Sequence, residues 1–277
     1  MSLFIASLNS GSNGNCYYIG NENEAILIDA GISCREIEKR IKRVGLSISK
    51  VKAVFISHEH TDHISGLPVL VKKYRLPVYI TAPTLMNCGF TLEEKLVMCF
   101  AAPEPVVIGN LMITAFPKHH DACDPYSFIV SSNNVKVGIF TDIGFPCANM
   151  ILHFKQCHAA FLETNYDEVM LEQGSYPYFL KNRIRGDKGH LSNKQALELF
   201  IAHKPEFMSH LFLSHLSKNN NSVQLVQQLF NEYANGVKII VATRYHETAV
   251  YHIHNSKSRR AVYRQPVTSS QLAFSFA

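Results

Sequence analysis

A short apolar segment of this chain runs directly into a turn crowded with metal-ligand side chains. The segment KAVFIS covers residues 52–57, and the next six residues include His58, His60, Asp62 and His63. A buried strand would fix the backbone where such a turn begins, so that the side chains after it can converge on one or two ions. A lone histidine is usually a packed or surface residue, whereas the spacing H-x-H-x-D-H indicates a metal site.

Three later apolar segments also lead into ligand-type residues. His119, His120 and Asp121 follow LMITAF, Asp142 follows VKVGIF, and His215 follows LFLS. Taken singly, each of these residues could be a turn, cap or surface residue. Their shared position after a predicted strand favours a second group of ligands near the first.

Short predicted strands and helices alternate along the chain, and no low-complexity linker separates them. The chain has 277 residues, of which 47% are hydrophobic, and this is enough for one large core. The segment CREIEKRIKRVGL has helical spacing of apolar residues and ends near Gly45, and Ser192 is a suitable N-cap for the helix LSNKQALELFIAHK. We expect a layered α/β protein forming a single domain over residues 1–277.

Composition narrows the environment of the protein. A formal net charge of +5 favours an anionic partner without identifying one. The seven cysteines are scattered and form no C-x-x-C pair, as in proteins with reduced thiols. No apolar stretch approaches the roughly 20 residues that span a bilayer. We expect a soluble, cytoplasmic protein without a membrane segment.

The order of these features resembles the metallo-β-lactamase fold superfamily. Asp29 follows ILI, and after it come the H-x-H-x-D-H motif, a single histidine, TD and a strand-end SH. The resemblance implies a four-layer αββα sandwich with a dinuclear site at one edge of its two sheets. It implies that Asp29 is a buried carboxylate that orients the histidine turn. The ligands that it implies are His58, His60 and His120 for one metal ion, Asp62, His63 and His215 for the other, and Asp142 as the bridge.

Longer segments resemble one bacterial branch, the YycJ/WalJ group. They include LNSGSNGNCYYI, AGISCREIEKRI, ETNYDEVMLEQGSYPYFLKNRI and GDKGHLSNKQA. Members of this group act on DNA as 5′-to-3′ exonucleases, so the resemblance implies a DNA exonuclease. The segment between Asp142 and His190 is too short for the cap domain of the RNA-degrading and DNA-repair branch, which leaves the choice between DNA and RNA open.

The implied ligand set also indicates the chemistry. Nitrogen and carboxylate ligands suit two divalent ions, with zinc as the first choice and manganese or iron as alternatives. With two carboxylates and a bridging hydroxide the site stays positive, which favours a phosphodiester, and the hydroxide would attack phosphorus in line with the leaving oxygen. Asp62 would help to hold the attacking hydroxide. His190 is the candidate general acid and Glu163 would orient it, although either residue could instead be purely structural.

Basic residues precede His190 in a segment that we expect to be a charged loop. In YFLKNRIRGDKGH they lie close to Tyr176, Tyr178 and Phe179, so they would hold a nucleic-acid backbone while a ring stacks on a base. A merely solvated surface is the alternative. The predicted substrate-binding residues are Lys181, Arg183, Arg185 and Lys188. A weaker second patch comprises Lys257, Arg259, Arg260 and Arg264.

The leading hypothesis is a dinuclear metal-dependent phosphodiesterase, an exonuclease acting on DNA. One alternative is a thioester or lactam hydrolase of the same fold, and the other is a metal-binding regulatory protein without turnover. The basic segment and the bridging Asp142 favour phosphodiester chemistry. The complete ligand set and His190 favour an enzyme. The sequence leaves the oligomeric state open.

Overall fold

Two β-sheets pack face to face in the computed structural model, which describes residues 2–255. Within those residues each sheet has seven strands. The strands of the first sheet are β1 (Leu3–Asn9), β2 (Cys16–Gly20), β3 (Ala25–Ile28), β4 (Val51–Phe55), β5 (Val78–Tyr79), β6 (Val97–Met98) and β14 (Tyr251–Ile253). Those of the second are β7 (Val106–Ile108), β8 (Leu111–Pro117), β9 (Tyr126–Ser132), β10 (Val135–Phe140), β11 (Ala159–Glu163), β12 (His210–Ser214) and β13 (Lys238–Val241). The first sheet has the order β14-β1-β2-β3-β4-β5-β6, and the second has the order β13-β12-β11-β10-β9-β8-β7.

The helices cover the outer faces of the sheets. They are α1 (Cys34–Arg43), α2 (Thr61–Ile64), α3 (Leu67–Tyr74), α4 (Ala82–Asn87), α5 (Ala148–Phe154), α6 (Glu168–Gln173), α7 (Tyr178–Arg185), α8 (Asn193–His203) and α9 (Val223–Asn231). None of the helices within residues 2–255 has the length and apolar character needed to cross a bilayer.

Three clusters of buried apolar side chains hold the two sheets and the two outer groups of helices together. Phe55 and Phe128 belong to the layer between the two sheets. Ile37 of α1 packs on the outer face of the first sheet, and Phe200 of α8 packs on that of the second. Burying one such side chain contributes about 1.5–3 kcal/mol. The layering confirms the expected four-layer αββα sandwich.

Local sequence explains the two helices that were predicted most fully. Ser33 caps α1 by accepting a hydrogen bond from the Glu36 backbone N–H, and Gly45, at φ 73°, follows its end. Ser192 and Gln195 form a reciprocal capping box at the start of α8. The N-cap prediction for Ser192 is therefore confirmed.

The expected charged loop before His190 is wrong over Tyr178–Arg185, because these residues form α7. No residue of α7 is buried, and its N-cap Pro177 makes no side-chain cap bond. The helix therefore has only a short apolar stripe, Leu180 and Ile184, and no side-chain cap, so its sequence gives weak signals for a helix. Strand β11, which ends at Glu163, was also not predicted.

The same pairing pattern appears in both sheets and brings their polar strand ends together. In each sheet, three antiparallel pairs are followed by three parallel pairs. Carboxyl ends of neighbouring parallel strands lie at one edge, where α/β proteins commonly bind ligands. The residues at or just after such ends are Asp29, His58, Asp142, Glu163 and His215.

Three of these strand-end residues have a left-handed backbone. Asp29, Asp142 and His215 have φ of 61°, 56° and 57°. Asp and His adopt this conformation more readily than most side chains do, yet each instance costs of the order of 1–3 kcal/mol. The chain thus turns sharply at the points where the two sheets deliver these side chains to their common edge.

Candidate metal centre

The carboxylate of Asp29 ties together the two ends of the histidine turn. Its Oδ1 accepts a hydrogen bond from Ser57 N at 2.8 Å, and its Oδ2 accepts one from Ser57 Oγ at 2.9 Å. At the other end of the turn, Asp29 Oδ2 lies 2.7 Å from His63 Nδ1. Asp29 and His63 are fully buried. The structure thus brings the predicted orienting residue against the turn, with Nε2 of His63 left to face the site.

Three imidazoles form the first cluster of ligand atoms. His60 Nδ1 lies 3.1 Å from His58 Nε2 and 3.3 Å from His120 Nε2. His120 Nδ1 donates to the carbonyl oxygen of Gly189 at 3.1 Å, which assigns the lone pair to Nε2. Tetrahedral zinc with bonds of about 2.0–2.1 Å would separate its ligand nitrogens by about 3.3 Å. The spacing of the three nitrogens therefore fits one ion.

A second cluster forms around Asp62. Its Oδ2 lies 3.4 Å from His215 Nε2 and 3.5 Å from His63 Nε2. Asn15 Nδ2 donates to the same oxygen at 3.1 Å. One carboxylate and two imidazoles therefore converge within ligand range of a common point.

Asp142 stands between the two clusters. Its Oδ1 lies 3.4 Å from His215 Nε2 and 3.8 Å from His120 Nε2, and its Oδ2 lies 3.2 Å from His63 Nε2. Asp142 Oδ2 is buried, and no hydrogen bond of good geometry reaches it among residues 2–255. The charged groups that face it are His63 and Lys118. A carboxylate oxygen left without a well-formed hydrogen bond in the interior is costly unless cations satisfy it. In each of four overlapping groups, the candidate ligand atoms lie within 4.8 Å of one another, so the residues present fit divalent metal ions.

The two clusters differ in their affinity for protons. Burial lowers the pKa of His58 far below its usual value and lowers that of His120 to about 3. Burial acts on His63 in the same direction, but the carboxylates of Asp142 and Asp29 outweigh it and raise its pKa to about 10. The pKa of His215 is likewise raised, against the effect of burial, by Asp142 and by hydrogen bonds to Asp62 and Glu163. Without metal, His63 and His215 therefore hold protons, whereas His58 and His120 do not.

The carboxylates of the site are ionised. Burial favours their neutral forms, but His63 and His215 lower the pKa of Asp62 to about 2 and hold that of Asp142 well below its usual value. A buried cation assists, since Lys118 Nζ donates to the carbonyl oxygen of Thr141 at 2.7 Å and lies 3.9 Å from Asp142 Oδ2. The site thus presents negative charge where cations would bind.

Glu163 is shared by two histidines. Its Oε1 lies 2.7 Å from His190 Nδ1 and 3.1 Å from His215 Nδ1, and its Oε2 accepts a hydrogen bond from Ile143 N at 2.6 Å. Glu163 is fully buried, whereas 19% of the His190 side chain is exposed. Although burial opposes ionisation, these two histidines lower the pKa of Glu163 to about 2. This hydrogen bond holds His190 beside the two clusters through its Nδ1, so that Nε2 is the ring nitrogen not bonded to Glu163.

An open cavity of about 360 Å³ adjoins the clusters, and its lining includes Ser12, Asn13, His60, Asp62 and Arg183. Of the four predicted substrate-binding residues, Arg183 lines this cavity. Its Nε lies 2.5 Å from an Asp121 carboxylate oxygen.

The other three predicted substrate-binding residues do not line this cavity. Lys181 Nζ donates to the carbonyl oxygen of Glu172, and Arg185 Nη1 lies 3.0 Å from the Glu172 carboxylate. Lys188 is exposed. The predicted patch at Lys257, Arg259, Arg260 and Arg264 lies outside the described residues.

Sequence reasoning did not identify several residues that support the ligands. Ser57 Oγ lies 2.9 Å from His58 Nδ1, and Asn165 Nδ2 lies 3.1 Å from His215 Nδ1. Asn15 and Lys118 contact the site in the ways described above. Two of these residues could have been identified because they stand close to predicted ligands in the sequence. Ser57 directly precedes His58, and Lys118 lies two residues before His120. Asn15 and Asn165 lie in polar turn segments whose contacts depend on long-range packing.

Comparison with known proteins agrees with this geometry. Residues 10–188 match the family model of the metallo-beta-lactamase superfamily. The chain is 34% identical over 246 residues to exodeoxyribonuclease YycJ of Bacillus anthracis, covering 86% of this chain and 92% of the relative. It is 30% identical over 223 residues to exodeoxyribonuclease WalJ of Streptococcus pneumoniae serotype 2, covering 79% of this chain and 83% of the relative.

A solved structure shares the fold. The metallo-beta-lactamase fold protein YhfI from Bacillus subtilis superimposes with a TM-score of 0.70 at 15% identity, covering 91% of this chain and all of that one. At that identity the likeness concerns architecture, and the sequence relatives carry the assignment. The chain therefore belongs to the metallo-β-lactamase superfamily and is a metal-dependent hydrolase.

Proposed function

We propose that this protein is a dinuclear metal-dependent phosphodiesterase that removes nucleotides from an end of DNA. The observation that carries the proposal is the position of Asp142, whose carboxylate lies between the two ligand clusters and has one oxygen without a well-formed hydrogen bond among residues 2–255. A bridging carboxylate at that point suits paired ions of the kind that act on phosphodiesters. The names of the two exodeoxyribonuclease relatives favour DNA as the substrate.

Seven side chains would hold the ions, for which we propose zinc, with manganese or iron as alternatives. When bound, the ions would acidify a water molecule and neutralise charge on the phosphoryl oxygens. The ligands proposed for one ion are His58, His60 and His120, those for the other are Asp62, His63 and His215, and Asp142 contacts both groups.

His190 would supply the proton that the leaving oxygen needs. Its Nδ1 donates to Glu163 Oε1, which fixes the ring plane and leaves Nε2 for the leaving group; the proton donor would be the imidazolium form of the ring. In that state Nε2 carries the proton for transfer. His190 would give up this proton as the P–O bond breaks, and Glu163 would remain ionised throughout.

The arginine in the cavity would position the substrate. Arg183 lines the same cavity as Asp62, and its guanidinium geometry suits a backbone phosphate. The pair with Asp121 holds that guanidinium at the rim of the site. The seven free cysteines agree with our proposal of a reducing, cytoplasmic location.

The test is an assay of metal-stripped protein reconstituted with zinc or manganese, with Asp62→Ala as the inactive control. Substrates are single- and double-stranded DNA and RNA, labelled at either end, and a closed DNA circle. We expect stepwise release of nucleotides from linear DNA and no cleavage of the circle. Cleavage of the circle would show endonuclease action. Hydrolysis of a thioester or lactam without any phosphodiester cleavage would establish the alternative hydrolase, and equal rates from Asp62→Ala would refute the assigned site.

A further inference from the structure

An arginine beside the second cluster has no assigned role. Arg244 is half-buried, and its Nη2 donates to the carbonyl oxygen of Leu216 at 2.9 Å and to Ser12 Oγ at 3.3 Å. Leu216 directly follows His215, and Ser12 lines the cavity that contains Asp62. The guanidinium therefore lies next to the candidate metal centre, on a side where sequence reasoning placed no substrate contact.

Arg244 forms no ion pair with any carboxylate of residues 2–255, although Asp62 acts on it from a longer distance. Most other arginines in that range are paired. The paired ones are Arg40, Arg43, Arg75, Arg183 and Arg185. A partly desolvated cation without a counter-charge in contact with it is unfavourable, and burial accordingly lowers the pKa of Arg244. An anion from outside the chain would relieve this cost.

The backbone around Arg244 is built to hold it in place. A Cβ on Gly11 would lie 3.1 Å from Arg244 Nη2, and Gly11 has φ 137°, so this position leaves room for the guanidinium. Helix α1 anchors the loop that carries Arg244. Arg43 forms a two-bond ion pair with Glu247, and Arg40 donates to the carbonyl oxygen of Tyr245 at 3.4 Å.

Arg244 lines a second cleft of about 190 Å³, together with Lys218 and Tyr245. This volume is below the roughly 300 Å³ at which pockets for drug-sized ligands begin, so the cleft has room for a small group only. Lys218 is exposed, and Tyr245 is 61% exposed. Asn13, which lines the first cavity, donates to the Arg244 carbonyl oxygen at 3.4 Å, so the two clefts adjoin.

We infer that Arg244 and Lys218 bind a backbone phosphate of a single-stranded DNA segment next to the scissile bond, and that Tyr245 stacks on a neighbouring base. This inference rests on the proposed function. The strand would then cross the metal centre between Arg183 on one side and Arg244 on the other. Guanidinium and ammonium groups supply the phosphate contacts, and an exposed aromatic ring accepts any base.

The test is fluorescence anisotropy with a phosphorothioate-linked oligothymidylate that resists hydrolysis, measured on metal-loaded protein over a range of salt concentrations. We expect Arg244→Ala and Lys218→Ala each to weaken binding several-fold and to reduce the salt slope by about 0.7. Tyr245→Ala should weaken binding by roughly 5- to 150-fold, and Tyr245→Phe should restore it because the ring is kept. Lys52→Ala, at the far end of β4 from His58, is the matched charge control and should bind like wild type.

The outcomes separate this inference from the proposed function. If Lys218→Ala, Arg244→Ala and Tyr245→Ala all bind like Lys52→Ala while Arg183→Ala binds weakly, the second subsite is wrong and the proposed function stands. If wild-type protein binds no oligonucleotide of DNA or RNA, both are wrong. Should Arg244→Ala fail to fold, the exposed Lys218 and Tyr245 still decide the question.

Discussion

Glu163 holds the imidazole of His190 through a hydrogen bond of 2.7 Å between Oε1 and His190 Nδ1. The same oxygen lies 3.1 Å from Nδ1 of the candidate ligand His215. One buried carboxylate thus orients both the proposed proton donor and a residue of the metal centre. Replacing Glu163 should therefore affect both proton donation by His190 and metal binding by His215.

His190→Ala should slow single-turnover cleavage of DNA by about 10²- to 10⁴-fold, the usual effect of losing a general acid. Affinity for DNA should change little, because His190 is proposed to act on the leaving oxygen. The p-nitrophenyl ester of thymidine 5′-phosphate has a leaving group that needs little protonation. The loss of cleavage rate in His190→Ala should therefore be smaller with this ester than with DNA. An equal defect with both substrates would exclude the proton-donor role.

Glu163→Gln should impair both functions of that carboxylate. Loss of a hydrogen-bond partner of a ligand histidine typically lowers metal affinity by about 10- to 100-fold, and the carboxylate that orients the His190 ring is also lost. Asp29→Asn is the matched control, because Asp29 contacts His63 and not His190. At saturating metal, Glu163→Gln alone should retain a rate defect that depends on the leaving group. Identical behaviour of the two variants would mean that Glu163 acts only through the metal.

Metal binding should release protons and tighten as pH rises. In the metal-free protein the pKa of His63 is raised to about 10 and that of His215 is also raised, so between pH 6 and 8 both are protonated. A metal ion must displace those protons, while Asp62 and Asp142 are already ionised. Apparent affinity should therefore increase by up to about 100-fold per pH unit. Calorimetry in two buffers of different ionisation enthalpy measures the release. An affinity that is independent of pH would contradict the charge states derived for the second cluster.

Arg183→Ala should raise the dissociation constant for DNA more than Arg185→Ala does. Arg183 lines the cavity beside Asp62, whereas Arg185 pairs with Glu172 away from it. Each lost phosphate contact should also flatten the salt dependence of binding. Anisotropy titrations at several salt concentrations test the order. A larger effect from Arg185→Ala would place the strand along a different path on α7.

The histidine turn could be predicted from the sequence because its geometry is local. His58, His60, Asp62 and His63 lie within six residues, directly after a strand. The four-layer fold could be predicted as well, since strand-end ligands in this order accompany one architecture. The helix α7 was not predicted, because it buries no residue and its one apolar pair at helical spacing, Leu180 and Ile184, stands among basic residues that are also typical of a charged loop.

Residues that depend on distant pairing were harder to foresee. Glu163 reaches the site because β11 pairs in parallel with both β10 and β12, and nothing in its own segment specifies those partners. The left-handed turn at Asp142 likewise depends on the packing around it. Arg244 lies 29 positions beyond His215 in the chain and is brought to the site by its hydrogen bond to Leu216.

The most direct test of the account is anomalous scattering from crystals of the protein grown with zinc or manganese. The account predicts two peaks, one among His58, His60 and His120 and the other among Asp62, His63 and His215, with Asp142 in contact with both. A fully loaded crystal with one peak, or with none at these seven residues, would contradict the dinuclear centre on which the proposed chemistry rests.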